Sequence, residues 1–219
     1  LGPAMIPNSR PVLETLEERI LYSADPGPVG LAAAVMESSL DLQDGNSSEA
    51  LTTELVFVDS RSPDYQMLLD DFAAQQAAGR RLEVVMVDAS EDGIGLIGRS
   101  LEGRSDVSAI HIVGHGEAGS AQLGASWLDS QTLLQRAGEI AAWRDALTAD
   151  ADLLLYGCAV GDGAVGRDLI NGLAELTGAD VAASDDPTGS AELGGDWQLE
   201  VQHGQIEAAS LTSDSLQAR

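Results

Sequence analysis

Two short motifs place an imidazole and a thiol next to glycine. His115 lies in the run AIHIVGHG and Cys158 lies in the run DLLLYGCAVG, and each follows a glycine directly. An imidazole near a thiol can accept its proton, and the thiolate then attacks a carbonyl carbon. Glycines let the backbone approach closely, so the N–H groups of Gly116 and Cys158 are candidates for an oxyanion hole.

A simpler interpretation of the cysteine stands beside this one. A lone cysteine after a buried strand is commonly a packed core residue, and a glycine before it is commonly part of a turn. Cys158 is the single cysteine of the chain, which excludes an intramolecular disulfide and a cysteine-rich metal site. The matched His–Gly pair at the end of a second apolar run favours the catalytic interpretation.

The elements that must position these residues alternate between short apolar runs and helical stretches. Predicted strands cover 55–58, 82–87, 107–113, 153–156 and 179–183. Predicted helices cover 64–78, 93–101, 130–147 and 163–176. This alternation predicts an α/β fold, a three-layer sandwich with a mostly parallel sheet. Short apolar pieces separated by glycines between 192 and 207 predict a C-terminal antiparallel hairpin.

The predicted sheet bears directly on the two motifs. The carboxyl ends of parallel strands share one edge of a sheet, and ligands bind at that edge. If strands 107–113 and 153–156 are neighbours, His115 and Cys158 project from adjacent loops on that edge.

The composition divides the chain into three parts. Residues 1–53 are rich in Pro, Gly, Ser and Asp and form an N-terminal extension, which contains the segment LEERILYSADP and a linker. Residues 54–209 form the predicted domain, and residues 210–219 form a tail.

The charge of the chain excludes whole classes of partner. It holds 36 acidic and 11 basic residues, a net charge of −25, and every basic residue is arginine. Nucleic acid and anionic membranes require an excess of positive charge, so we expect neither as a partner. The longest apolar stretch, 29–36, is far shorter than the ~20 residues of a membrane-spanning helix, so we expect no membrane insertion.

Several other features are not expected. No secretory signal peptide is visible in this sequence. We predict no cofactor and no metal site, because no spacing matches an EF-hand loop and the acidic clusters are most simply solvated faces. The sequence carries no signal for a particular oligomeric state.

The two motifs resemble those of a known clan. An apolar strand ending in His-Gly, followed by one ending in Gly-Cys, is similar to the caspase, gingipain, clostripain and legumain clan of cysteine peptidases. More closely, residues 54–207, with LYGCAVGDG, TGADVAASDD and GGDWQLE, resemble an uncharacterised caspase-like domain found near the N-terminus of large bacterial adhesins with cadherin-like or calcium-binding repeats. In those proteins a segment like LEERILYSADP also precedes the domain.

This resemblance implies roles for particular residues. His115 is expected to be the general base, Cys158 the nucleophile, and Gly116 part of the oxyanion hole. No third, acidic member of a triad can be matched, and the clan commonly works with a dyad.

The resemblance also implies a substrate pocket. In the clan, the segment after the strand that follows the nucleophile lines this pocket, which here means Ser184, Asp185 and Asp186. Carboxylates there would select Arg or Lys in the substrate. The same residues can instead form a simple acidic turn.

A basic residue that such an enzyme would cut after lies in the extension. Arg19 is the candidate cleavage site, since it belongs to the segment that accompanies the domain. Alternatively, the apolar residues around Arg19 dock the segment on the domain as a structural strap.

Three functions follow as hypotheses. The first is a cysteine endopeptidase that acts on its own precursor or on a surface protein, located at the bacterial cell surface or outside the cell. The second is a catalytically silent caspase-like module for interaction or retention in a large adhesin. The third is a thiol hydrolase of small molecules, which would need a closed pocket.

Overall fold

The computed structural model of the protein describes residues 52–63 and 65–217. The segment LEERILYSADP and Arg19 lie outside the described residues. The strands are β1 Thr53–Asp59, β2 Leu82–Val87, β3 Val107–Val113, β4 Gly116–Glu117, β5 Ser120–Leu123, β6 Ser126–Asp129, β7 Leu147–Tyr156, β8 Asp180–Ala183 and β9 Val201–His203. The helices are α1 Tyr65–Ala77, α2 Gly93–Leu101, α3 Ser130–Gln135, α4 Ala137–Ala141, α5 Gly163–Thr177 and α6 Asp214–Gln217, with 3-10 helices at Ala142–Ala146 and Ala191–Leu193. Within residues 52–63 and 65–217, no helix has the length and apolarity needed to cross a membrane.

A six-stranded sheet forms the centre of the described domain. Its strands follow the order β2-β1-β3-β7-β8-β9, and all pairs are parallel except β8 with the edge strand β9. β1, β3 and β7 lie inside the sheet, and their continuous runs of Val, Ile and Leu are typical of parallel strands buried on both faces. The predicted α/β fold with a mostly parallel sheet is confirmed.

Helices cover both faces of this sheet and give three layers. On one face the strands pack against α2, α5 and the first 3-10 helix, in a cluster that includes Phe57, Ile110, Trp143, Leu155 and Leu169. On the other face they pack against α1 and the C-terminal segment, in a cluster that includes Val56, Phe72, Leu154, Tyr156 and Leu211. Leu211 is completely buried, so the described part of the predicted tail packs on the domain.

Helix α5 follows the loop that carries Cys158. Leu169 and Leu173 are buried on its inner face, four residues apart, as expected for an amphipathic helix. The helix ends at Gly178, whose φ of 74° is the left-handed conformation of a glycine cap. The apolar spacing and the glycine together define this helix in the sequence.

Residues 130–147 differ from the single predicted helix. They form α3, α4 and a 3-10 helix in succession, and β7 begins at Leu147 instead of residue 153. The break falls at Arg136, whose φ is −114°. The Arg136 guanidinium binds both carboxylate oxygens of Asp92 at 2.7 and 2.8 Å. This tertiary ion pair is not visible in the local sequence pattern.

A second, smaller sheet follows β3 directly. β4, β5 and β6 pair antiparallel within residues 116–129. Gly119, with φ of 75°, makes the tight turn between β4 and β5. The sequence pattern predicts no strand here, because strands of 2 to 4 residues are too short to show a hydrophobic period.

The predicted antiparallel C-terminal element is present as β9, which pairs with β8. The other pieces of the predicted hairpin are not strands: residues 192–193 belong to the second 3-10 helix, and residues 205–207 have no regular structure. The backbone N–H groups of Gln205 and Glu207 bind carboxylates of the sheet instead of another strand.

Candidate active site

The loops after β3 and β7 lie side by side at the carboxyl edge of the sheet. Val113 pairs with Tyr156 at the ends of the two strands, and the Gly114 N–H donates to the Tyr156 carbonyl at 3.1 Å. His115 and Cys158 each lie two residues beyond the Val113–Tyr156 pair, and both are exposed. The prediction that these strands are neighbours is confirmed, so the imidazole and the thiol extend from adjacent loops.

Gly116 contacts the backbone of the cysteine loop and leaves no space for a side chain. A β-carbon on Gly116 would lie 2.8 Å from the Gly157 carbonyl carbon and 2.9 Å from the Cys158 carbonyl oxygen, and it would also clash with Val160 Cγ2. These distances are shorter than the 3.0 Å that real β-carbons keep. Only glycine fits at this position, and the two loops are in direct backbone contact.

The N–H of Gly116 points away from the small sheet. The Gln122 N–H donates to the His115 carbonyl at 2.8 Å, so His115 and Gln122 form a hydrogen-bonded pair. Hydrogen-bonded and non-hydrogen-bonded pairs alternate along an antiparallel ladder, so the next pair, Gly116 and Ala121, is non-hydrogen-bonded. The Gly116 N–H is therefore not used by the β4–β5 ladder.

The residue after the thiol has a strained backbone. Ala159 has φ of 58°, and within residues 52–63 and 65–217 no other non-glycine residue has a positive φ. The left-handed conformation costs an L-residue roughly 1–2 kcal/mol, so neighbouring contacts must hold it. The Ala159 N–H donates to the Asp186 carbonyl and the Gly161 N–H donates to the Ser184 carbonyl, both at 2.7 Å. Such strain concentrates at functional sites.

The thiol contacts a third loop, the one after β8. Cys158 Sγ lies 3.8 Å from the carbonyl oxygen of Thr188, and Thr188 Oγ1 is buried without a hydrogen-bond partner in the described part of the chain. Cys158 is exposed, so it is not the packed core residue of the simpler interpretation. The loops after β3, β7 and β8 thus meet around an accessible thiol.

Three carboxylates gather beside the loop after β8. Asp185, Asp186 and Glu200 each place an oxygen within 4.8 Å of the others. In the described residues, 52–63 and 65–217, these three carboxylates take part in no ion pair. Because Asp186 is bonded to the turn after Cys158, this negative charge lies next to the cysteine loop and favours a cationic ligand group.

Ser184 differs from its predicted place in a substrate pocket. It is completely buried, and its Oγ lies 3.1 Å from the Asp186 carbonyl oxygen, to which it donates. The side chain therefore stabilises the turn that carries Asp185 and Asp186 and does not line an open pocket.

Asp59 was not identified in the sequence but anchors the chain that follows His115. Its completely buried carboxylate pairs with Arg61 at 2.7 Å and accepts the Gly124 N–H at 2.7 Å. Burial alone would raise the pKa of Asp59, but hydrogen bonds from Arg61 and Gly124 outweigh it and lower that pKa. The ionised carboxylate thereby ties the β5–β6 turn to the end of β1.

Two cavities lie in the described part of the chain, and Glu200 is among the residues that line one of them. One of about 550 Å³ is lined by α2 and the 3-10 helix around Trp143, and one of about 360 Å³ lies beside Tyr156 and Trp197. Neither is lined by His115 or Cys158.

The predicted site residues have different outcomes. His115 and Cys158 lie on adjacent loops, Gly116 lies against the backbone of Gly157 and Cys158, and the Asp186 carbonyl accepts the N–H of Ala159. Arg19 lies outside the described residues. Glu200 was missed, because it belongs to the segment before β9 and only the pairing of β8 with β9 carries it to this site.

The chain matches the model of a known family. The family described as "Domain of unknown function (DUF4347)" has a model that matches residues 55–219. The match begins in β1 and covers all the loops described above. No curated protein sequence matches the chain.

Proposed function

The chain belongs to the family described as Domain of unknown function (DUF4347), and we propose that this domain is a caspase-like cysteine endopeptidase with a His115/Cys158 dyad. The observation that carries the proposal is the backbone contact between Gly116 and Cys158, on neighbouring strands of one sheet. The mostly parallel sheet is compatible with a caspase-like fold.

The proposed reaction uses groups from two loops. His115 accepts the proton of the Cys158 thiol, and the thiolate attacks the carbonyl carbon of a peptide bond. The N–H groups of Gly116 and Cys158 donate to the oxyanion that forms. The carbon–nitrogen bond then breaks, and protonated His115 gives its proton to the leaving amine. Water, deprotonated by His115, hydrolyses the remaining thioester and restores the thiol.

The proposed substrate has a basic residue before the cleaved bond. Asp185, Asp186 and Glu200 support this preference, because these three carboxylates lie next to the cysteine loop and pair with no arginine of the described residues. A carboxylate binds a guanidinium group through two parallel charge-assisted hydrogen bonds. A neutral or acidic side chain would leave these charges uncompensated.

The proposed setting is the surface of a bacterial cell, within a large adhesin. The resemblance of LEERILYSADP and LYGCAVGDG to segments of such proteins supports this setting, and a net charge of −25 is well tolerated in salty surroundings. The substrate would be the protein's own precursor, with Arg19 as the cleavage site, or a neighbouring surface protein.

Active-site labelling tests the proposal against the catalytically silent module. A peptidyl chloromethyl ketone ending in arginine should add the mass of one inhibitor to the wild-type protein. The same reagent should add nothing to Cys158→Ala and should react far more slowly with His115→Ala. A matched reagent ending in glutamate should label the wild type much more slowly, which separates recognition from simple alkylation of an exposed thiol.

Both variants should keep the thermal unfolding midpoint of the wild type, since both side chains are exposed. Folded wild-type protein that resists the arginine reagent from neutral to mildly alkaline pH would be the silent module instead.

A further inference from the structure

A second group of carboxylates lies at the middle of β7 and the start of β8, away from His115 and Cys158. Asp152 on β7 pairs directly with Asp180, the first residue of β8, and Glu207 approaches them from the C-terminal segment. Each places a carboxylate oxygen within 4.8 Å of the other two. The three charges thus converge on a volume that one ion can fill.

Asp152 is the buried member of the group. Asp152 is 1% exposed. One oxygen, Oδ2, accepts the N–H groups of Glu207 at 3.0 Å and Ala208 at 2.7 Å. The other oxygen, Oδ1, is buried and has no hydrogen-bond partner in the described part of the chain. A buried carboxylate oxygen without a donor is destabilising unless a cation pairs with it.

No basic residue supplies that cation within the described ranges. None of the ion pairs formed by residues 52–63 and 65–217 includes Asp152, Asp180 or Glu207. Three carboxylates thus converge here with no arginine paired to them among the residues that the structure describes.

We propose that Asp152, Asp180 and Glu207 bind one Ca²⁺ ion. Calcium takes carboxylate oxygens at about 2.3–2.6 Å, so its ligand atoms lie up to about 5 Å apart, and it tolerates irregular geometry. The mutual distances within 4.8 Å meet this requirement. Magnesium demands near-ideal octahedral geometry at about 2.0–2.1 Å and keeps several waters, so it fits less well.

The bound ion would join the C-terminal segment to the sheet. That segment already docks there through its backbone, since the Gln205 N–H donates to Asp180 Oδ2 at 2.9 Å. Calcium would also bind the Glu207 side chain to the sheet and would pair with the carboxylate of Asp152. The site is independent of the proposed peptidase, because no residue is shared with it.

Thermal unfolding of the purified 219-residue protein tests the site. The wild-type protein should unfold at a higher temperature in CaCl₂ than in EDTA, and the rise should saturate with CaCl₂ concentration. Asp152→Asn should lose this rise, and in EDTA at neutral pH it should be at least as stable as the wild type, because a buried charge is removed. Glu207→Gln, which changes an exposed side chain, should need a higher CaCl₂ concentration for the same rise.

Matched controls separate the site from general screening of a strongly acidic protein. Asp150→Asn removes one exposed charge from the same strand and should keep the wild-type response. NaCl at equal ionic strength and MgCl₂ at equal concentration should give smaller rises than CaCl₂. The proposal would be overturned if CaCl₂ did not raise the unfolding temperature of the wild type. It would also be overturned if Asp152→Asn and Glu207→Gln responded to CaCl₂ as the wild type does, or if MgCl₂ raised the unfolding temperature of the wild type as much as CaCl₂.

Discussion

Gly116 and Cys158 are in backbone contact across the ends of two neighbouring strands. A β-carbon on Gly116 would lie 2.9 Å from the Cys158 carbonyl oxygen. Because Gly116 packs closely against the cysteine loop, we expect a displacement of one loop to move the other. This contact therefore sets the position of the imidazole, one residue before Gly116, relative to the thiol.

Gly116→Ala should separate the two loops. We expect the free energy of unfolding to fall by about 1–3 kcal/mol, because the added methyl group overpacks a contact made of backbone. We also expect the rate of labelling by the arginine reagent to fall by about tenfold or more, since small displacements of reacting groups are costly. Urea unfolding and intact-mass kinetics measure the two effects.

Gly138→Ala is the matched control for this change. Gly138 lies in α4, and a β-carbon there would have nothing within 4 Å. This variant should keep the labelling rate and should be as stable as the wild type or more stable, because alanine is the better helix former. Normal labelling of folded Gly116→Ala would show that the contact does not position the dyad.

Ala159→Gly should relieve the strain beside the thiol. Glycine adopts a φ of 58° without the steric cost to alanine. We expect a gain of up to about 1 kcal/mol in the free energy of unfolding, with slower labelling because the loop that holds Cys158 becomes less rigid. Ala141→Gly, at a helical φ of −62°, should instead lose about 1 kcal/mol. If both variants lost a similar amount of unfolding free energy, the backbone at Ala159 would not be strained.

The central sheet could be predicted because buried parallel strands are short continuous apolar runs. The predicted bounds 82–87 and 107–113 match β2 and β3. The small sheet could not be predicted, since β4 has only 2 residues and forms because the chain turns at Gly119. The break at Arg136 likewise depends on Asp92, a tertiary partner that a local pattern does not contain.

The candidate site was predictable where glycine marks the end of a strand, as at His115 and Cys158. The supporting residues were not, because their positions depend on strand order. Asp59 lies near the His115 loop because β1 pairs with β3. Asp152 and Asp180 meet only through the register of β7 and β8, so the carboxylate group there has no sequence spacing to detect.

The buried pair His111 and Glu54 should make stability depend on pH. His111 Nε2 lies 2.9 Å from Glu54 Oε2, and its ring is completely buried and stacks on Tyr156. Burial lowers the pKa of His111, and this outweighs the opposite effect of Glu54. For Glu54, burial alone would raise the pKa, but hydrogen bonds from His111 and Arg80 lower it to about 2.

The lowered pKa values of His111 and Glu54 both make the protein less stable as pH falls. His111 binds a proton more readily in the unfolded chain, so its contribution to stability is lost as pH falls below its ordinary pKa of 6.5. Ionised Glu54 contributes stability that is lost as pH falls from 4.5 toward 2. For His111 alone the slope is at most about 1.4 kcal/mol per pH unit.

Urea unfolding of the wild type and His111→Gln from pH 7 to pH 5 isolates the histidine. The comparison is needed because Asp152, whose pKa is raised to about 6, acts in the opposite direction over this range. The variant should be less stable at pH 7, since packing against Tyr156 is lost, and the gap should narrow toward pH 5. A gap that stays constant would show that His111 does not titrate between the folded and unfolded states.

The carboxylates beside the cysteine loop should determine which inhibitor reacts. The double variant Asp185→Asn and Asp186→Asn should lower the labelling rate of the arginine reagent by about tenfold to a hundredfold, because charged hydrogen bonds contribute about 1.5–3 kcal/mol. The glutamate reagent should be unaffected or faster. Asp168→Asn with Glu175→Gln, two exposed residues of α5, makes the same change in net charge and should keep the preference for arginine.

Arg19 tests the proposed substrate, and it does so independently of the labelling reagents. On prolonged incubation the wild-type protein should be cut between Arg19 and Ile20, as intact-mass spectrometry would show. Cys158→Ala and Arg19→Gln should stay whole at this bond. Arg10→Gln, in the same extension, should be cut like the wild type. A first-order rate that does not change on dilution would mean that the domain cuts its own chain, whereas a rate that rises with concentration would mean cleavage between molecules. Cleavage at this bond in Cys158→Ala would assign the cut to another protease.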